Sequence, residues 1–153
     1  MSMDIIPVGR RRAWPPRVTE ATRPFWGALA LGRMTTTRCD NCARYTFPPK
    51  PICPHCWSSK LAWTDLGGRG MLYSRTVIHA PPKVFEGVGP LHVGIVDLDE
   101  GVRICCGLLE DDAPIPLDSR VELVTLLYAD GPLFSARRQV SAREASGAHT
   151  QTR

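Results

Sequence analysis

The sequence predicts a mainly β protein in two parts, a small cysteine-pinned unit followed by a barrel of short strands. Three observations carry the prediction. Two close cysteine pairs are separated by ten residues, one short helical pattern precedes them, and five short apolar segments follow, punctuated by glycine and proline turns.

The elements can be justified in chain order. Residues 1–20 mix Arg10, Arg11, Arg12 and Arg17 with prolines and Trp14, without periodicity. Residues 1–21 are therefore expected to be a disordered or extended basic arm. They hold no apolar core of a secretory signal, and no apolar run reaches the roughly 18 residues of a membrane span. A cytoplasmic protein with reduced thiols is expected.

The segment from Arg23 to Gly32 reads as a short helix. Pro24 suits a first helical turn, and Gly32 suits the left-handed residue that ends a helix. Phe25, Trp26 and Leu29 make one side apolar. So short a helix is marginal alone, and must dock on its own domain or on a partner.

Residues 22–66 are expected to combine this helix with a metal unit. Cys39 and Cys42 form one C-x2-C turn, Cys53 and Cys56 the other. Each turn aims two sulfurs at one point, and a hairpin between them brings the pairs together. Four thiolates complete a tetrahedral Zn2+ site with no open position, so the metal reads as structural rather than catalytic. The same ligands also suit iron in a rubredoxin-like site. His55 reads as an exposed knuckle residue, and Trp57 and Trp63 are expected to cover the sulfurs. About 30 residues bury too little surface to fold alone, so metal binding must supply folding free energy.

Gly67-Gly68-Arg69-Gly70 reads as a flexible connection into a domain spanning 67–140. Its expected strands are Met71–Ala80, Leu91–Leu98, Val102–Leu109, Val121–Tyr128 and Leu133–Val140. Five short strands without helices predict a C-terminal five-stranded OB-fold barrel. Residues 141–153 read as a disordered tail. Within the third of these strands, Cys105 and Cys106 must point to opposite faces.

Net charge is +4, but residues 21–134 hold 11 Lys/Arg against 12 Asp/Glu. The surplus lies at the two ends, so the folded part lacks the basic face that nucleic-acid binding requires.

The ordered pieces resemble a family. They are Pro24-Phe25-Trp26, Arg38-Cys39-x-x-Cys42, and Phe47-Pro48-Pro49-x-x-x-Cys53-Pro54-x-Cys56. Next come Gly68-x-Gly70-x-x-Tyr73-Ser74-x-Thr76-Val77 and Val96-Asp97-Leu98-Asp99-Glu100-Gly101-Val102-Arg103. Over residues 22–134 the chain is similar to the zinc-ribbon/OB-fold acyl-CoA-associated proteins. One departure is Ala43, where the family's pattern carries glycine. The resemblance implies a non-catalytic accessory subunit that binds acyl-CoA and docks on a thiolase-like subunit, as a heterotetramer around a partner dimer. The partner would act in thiolysis, retro-aldol cleavage or acyl transfer, within degradation or lipid or aromatic metabolism. Phe25, Trp26 and Leu29 are the implied docking residues. For the CoA thioester, Arg75, Lys83 and Arg103 offer charge to phosphates, Phe85 or Tyr73 an aromatic face to adenine, and His79 a place beside the loop from Ala80 to Gly87.

Two other readings stand beside this one. A single-stranded nucleic-acid binder would also use a zinc ribbon and an OB-fold. An independent hydrolase would pair Cys105 or Cys106 with His79 or His92.

Overall fold

The structure is a computed structural model that describes residues 2–85, 87–110 and 113–139. The expected tail, and Val140 as the end of the last strand, lie outside these residues.

The elements run β1 (Ile5–Val8), α1 (Arg23–Ala30), β2 (Met34–Cys39), β3 (Tyr45–Thr46) and β4 (Leu61–Leu66). They continue with β5 (Arg69–Ile78), β6 (Leu91–Leu98), β7 (Arg103–Leu109), β8 (Arg120–Tyr128) and β9 (Gly131–Arg138). β3, β2 and β4 form the antiparallel sheet of the ribbon. The last five strands close a barrel in the order β5-β6-β7-β9-β8 and back to β5, with β7 and β9 parallel. That is the five-stranded Greek-key closure of an OB-fold.

Helix α1 begins with Pro24 in its first turn, and Gly32 follows it at φ 71. Phe25 and Leu29 are buried at 4% and 0% exposure, inside the chain's own core. They are thus not available as docking residues, and of the three expected ones only Trp26 keeps partial exposure. The helix chose its own domain because its apolar side plugs the junction. Phe25 meets Phe47 of the ribbon at 5.9 Å and Phe134 of β9 at 6.3 Å, in edge-on geometry. The buried Thr125 hydroxyl donates to the Leu29 carbonyl at 3.1 Å.

Three expectations need correction. The basic arm contains a strand: β1 pairs in parallel with β8 from Ile5↔Thr125 to Val8↔Tyr128. It takes the β8 edge beyond Arg69–Met71, the only β5 residues that pair with β8. The glycine segment is no flexible connection, since Arg69 and Gly70 already belong to β5. A Cβ on Gly70 would lie 2.2 Å from the Asp97 carbonyl oxygen, so close backbone approach is what this glycine serves. Trp57 and Trp63 do not cover the sulfurs: they are 80% and 42% exposed.

Ribbon and barrel share one core. Met34 and Leu66 from the ribbon pack with Phe25 and Leu29 of the helix and with Leu72, Val96, Ile104 and Val121 of the barrel. A bulge between Leu72 and Ser74 then shifts the inward register of β5, so that Arg75 stands opposite the buried Gly94. The polar group this brings inward is paired, as buried charge must be. Arg75 Nη1 lies 3.3 Å from Glu110, whose side chain is only 6% exposed.

Candidate functional site

The four expected ligands converge. All four Sγ atoms lie within 4.8 Å of one another. Cys39 Sγ is 3.6 Å from Cys56 Sγ, and Cys42 Sγ 3.6 Å from Cys53 Sγ. Zn–S bonds of about 2.3 Å in a tetrahedron require sulfurs about 3.8 Å apart, so the donor set fits Zn2+.

The two knuckles are built alike. Cys39 N donates to the Arg44 carbonyl and Cys53 N to the Ser58 carbonyl, both at 2.9 Å. Ala43 N returns to Cys39 O and Trp57 N to Cys53 O, again at 2.9 Å. Each turn therefore puts its fourth following residue in left-handed backbone, Ala43 at φ 60 and Trp57 at φ 61. The Asn41 amide donates to Cys56 Sγ at 3.5 Å. That bond, with a backbone contribution from Ser58, pulls the Cys56 thiol down to about 6. The Arg44 backbone also favours the Cys42 thiolate, but desolvation and the neighbouring sulfurs outweigh it and push Cys42 up to about 11. Crowded thiols resist losing all their protons unless a cation balances the charge, as a metal would. His55 is exposed and stands 3.4 Å from Arg44, outside the ligand set.

The residues expected to meet CoA fall in three places. Arg75 is inside the barrel mouth with Glu110, which also accepts from Ile115 N at 3.0 Å and bonds His92 Nδ1. Arg103 forms a two-pronged pair with Asp97 at 2.6 and 2.7 Å and lies 3.8 Å over the Tyr73 ring. His79, Lys83 and Phe85 do come together, with Pro81 and Pro90, around a hollow of about 330 Å3. Asp97 is six residues from Leu91, so Arg103 is about 20 Å along β6 from that hollow. Arg75 and Arg103 are held in ion pairs, which leaves the hollow as the coherent part of the expected set.

Sequence reasoning missed the neighbouring groove, of about 540 Å3. The arm residues Arg10, Arg11 and Trp14 border it, and so do Phe85, Pro90 and His92. It lies across β6, β7, β8 and β9 beside the β5–β6 connection, and so includes the face of the second and third barrel strands on which OB barrels commonly hold ligands. That fold rule was the available signal. What hid the groove was the arm, whose docking no periodicity announces.

The hydrolase constellation does not assemble. Cys106 is buried in the barrel, and burial pushes its thiol up to about 12. Cys105 is exposed opposite Ile95, three residues or about 10 Å along the strand from His92.

Comparison with known proteins places these features. A DUF35 domain-containing scaffold protein of Methanothermobacter thermautotrophicus is 31% identical over 109 residues, covering 70% of this chain and 82% of that protein. The chain belongs to the DUF35 family. Within it, residues 26–62 match the family model for the ChsH2 rubredoxin-like zinc ribbon domain, and residues 63–126 that for the ChsH2 C-terminal OB-fold domain. A chain of a solved structure titled Ltp2-ChsH2(DUF35) aldolase superposes with a TM-score of 0.71 at 32% identity, over 82% of this chain and 100% of that one. A probable enoyl-CoA hydratase alpha subunit of Thermomonospora curvata is 36% identical over 103 residues, though the match covers only 32% of that longer protein. Both the metal unit and the barrel are thus DUF35 features, and the zinc-ribbon match agrees with the sulfur geometry.

Proposed function

We propose that this DUF35 chain is a non-catalytic accessory subunit that binds a CoA thioester and docks on a thiolase-like partner acting in thiolysis, retro-aldol cleavage or acyl transfer. The observation that carries the reading is the likeness, over 82% of this chain and all of the matched one, to a chain of the structure titled Ltp2-ChsH2(DUF35) aldolase. The site chemistry agrees with it. The four cysteines converge as a closed four-sulfur zinc site requires, which gives the metal a structural place. The hollow holding His79, Lys83 and Phe85 offers cationic and aromatic contacts to a phosphorylated nucleotide.

Docking is assigned to the second knuckle, with Trp26 as a secondary contact. Trp57 is 80% exposed and Ile52 48% exposed. Trp57 also occupies left-handed backbone, which costs a non-glycine residue about 1 kcal/mol or more. Stability alone would favour glycine there, so an exposed indole held in that strain points to a partner.

The test is co-expression with the thiolase-like product of an adjacent gene. A stable complex should form that turns over a CoA thioester, while the isolated chain, loaded with zinc, shows no turnover. A chain that stays monomeric with every such partner would overturn the proposal. Trp57→Ala should keep one zinc per chain yet weaken the complex at least tenfold, about 1.4 kcal/mol.

A further inference from the structure

The groove under the N-terminal arm has no role in the account above. Its volume, about 540 Å3, falls within the range of small-molecule sites. Its lining is mostly apolar: half-buried Val93, Leu109, Leu126 and Leu133 come from four barrel strands, with the rings of Tyr128 and Phe134 beside them and His92 and Ser135 as polar members. One wall is the arm, and that wall is held in place. Beyond β1, Ala129 N donates to the Arg10 carbonyl at 3.1 Å. Arg12 N donates to Asp130 Oδ1 at 2.9 Å, and Arg12 Nη1 to the Pro132 carbonyl at 3.2 Å. This anchoring hangs Trp14, 68% exposed, at the groove and sets Arg10 and Arg11 at its rim. Both arginines are exposed and without an ion-pair partner among the described residues.

Aliphatic side chains outnumber the aromatic rings in this lining, and a base or sugar laid on them would lose hydrogen bonds to water without replacement. Two unpaired guanidinium groups at its edge attract an anion. An apolar chain joined to an anionic group satisfies both.

We propose that this groove binds the aliphatic acyl chain of an anionic ligand, with Arg10 and Arg11 drawing in its charged end and Trp14 covering the chain. The inference deepens the proposed CoA-thioester role and rests on it for the identity of the headgroup. Phe85 and Pro90 border both the groove and the hollow with His79 and Lys83. A CoA moiety in the hollow therefore has its acyl chain directed into the groove. A free fatty carboxylate shares this chemistry, and the experiment separates the two sources.

The test is calorimetric titration of the zinc-loaded full chain with dodecanoate, CoA and dodecanoyl-CoA. Dodecanoate is kept below its micellar range, and the oligonucleotide dT12 is titrated in parallel. Dodecanoate should bind saturably at one per chain, and dodecanoyl-CoA about tenfold or more tighter than CoA. The triple variant Arg10→Ala, Arg11→Ala, Trp14→Ala changes only exposed side chains, so its fold and zinc content should be retained. It should weaken dodecanoate and dodecanoyl-CoA about tenfold while leaving CoA unchanged. Absence of saturable dodecanoate binding, with equal affinity for CoA and dodecanoyl-CoA, overturns the acyl groove and leaves the CoA role standing. Dodecanoate binding without CoA binding does the reverse. Equal dodecanoate affinity in the triple variant and the parent chain overturns the location. Binding of dT12, lost in the triple variant and unaccompanied by dodecanoate binding, replaces the acyl chain with single-stranded nucleic acid.

Discussion

At single positions, backbone geometry sets testable limits. Ala43 occupies φ 60 at the first knuckle, in the left-handed region that disfavours a Cβ. Ala43→Gly should raise stability by about 0.5–1 kcal/mol, read as a higher denaturant midpoint with unchanged zinc content. Part of the relieved strain is offset by glycine's greater freedom in the unfolded chain. Gly70 is the opposite case, since its missing Cβ makes room for the Asp97 carbonyl. Gly70→Ala must push β5 from β6 and should cost about 1–3 kcal/mol, measurable by chemical denaturation. Cys39→Ala removes a buried sulfur from the set of four. The expected result is loss of the one bound metal per chain, by elemental analysis, with a lower unfolding midpoint for the whole chain.

At the scale of elements, two contacts decide how parts are joined. Phe25, Phe47 and Phe134 form an edge-on triangle linking helix, ribbon and barrel, with ring centroids 5.9 to 6.3 Å apart. Phe25 is the most buried of them, and Phe25→Ala should cost about 3–5 kcal/mol. The variant's ribbon amides should exchange faster relative to the barrel's. The arm is joined to the β8–β9 turn through Asp130, whose carboxyl is held below its ordinary range by the Arg12 backbone amide and by the Arg12 charge. A depressed folded value means the contact stabilises fully above the ordinary carboxylate pKa, and the contribution disappears as pH falls through the folded value. Protection of the amides in residues 5–12, relative to their intrinsic exchange, should therefore fall below about pH 4. Asp130→Asn should remove that acid dependence and show faster exchange at neutral pH. Asp97 and Asp99 are likewise held down, by hydrogen bonds from Arg103 and Arg120.

For the whole molecule, ribbon and barrel behave as one body, because Met34, Leu66, Phe25 and the barrel interior share one core. Metal removal should then lower the thermal stability of the barrel as well as the ribbon, giving one transition at a lower midpoint rather than an unchanged barrel. The ends of the molecule are chemically distinct. Arg103 with Asp97, and Arg120 with Asp99, close one end by paired charges. The hollow and the groove open at the other, near the first residues of β6. No helix among the described residues is long and apolar enough to cross a membrane.

Local chemistry alone determined a good deal of this protein. The cysteine spacing specified a closed four-sulfur centre, because two short turns can aim their thiolates at only one point. Turn residues and β-branched runs located the barrel strands, and the Pro24 and Gly32 punctuation located the helix, because these signals act within a few residues. The short, weakly patterned strands β1 and β4 escaped notice, as their pairing depends on distant partners. Only the tertiary structure decided which side chains were free to act. Phe25 and Leu29 looked available, but the core took them. Arg75 was turned inward by a bulge, and Arg103 was claimed by Asp97. Trp57, which looked buried, was left in solvent. The basic arm became the wall of a groove because Asp130, 118 residues away, captured Arg12. Burial and ion pairing are long-range properties: they depend on which surfaces the closed chain leaves open, and no local window of sequence contains that information.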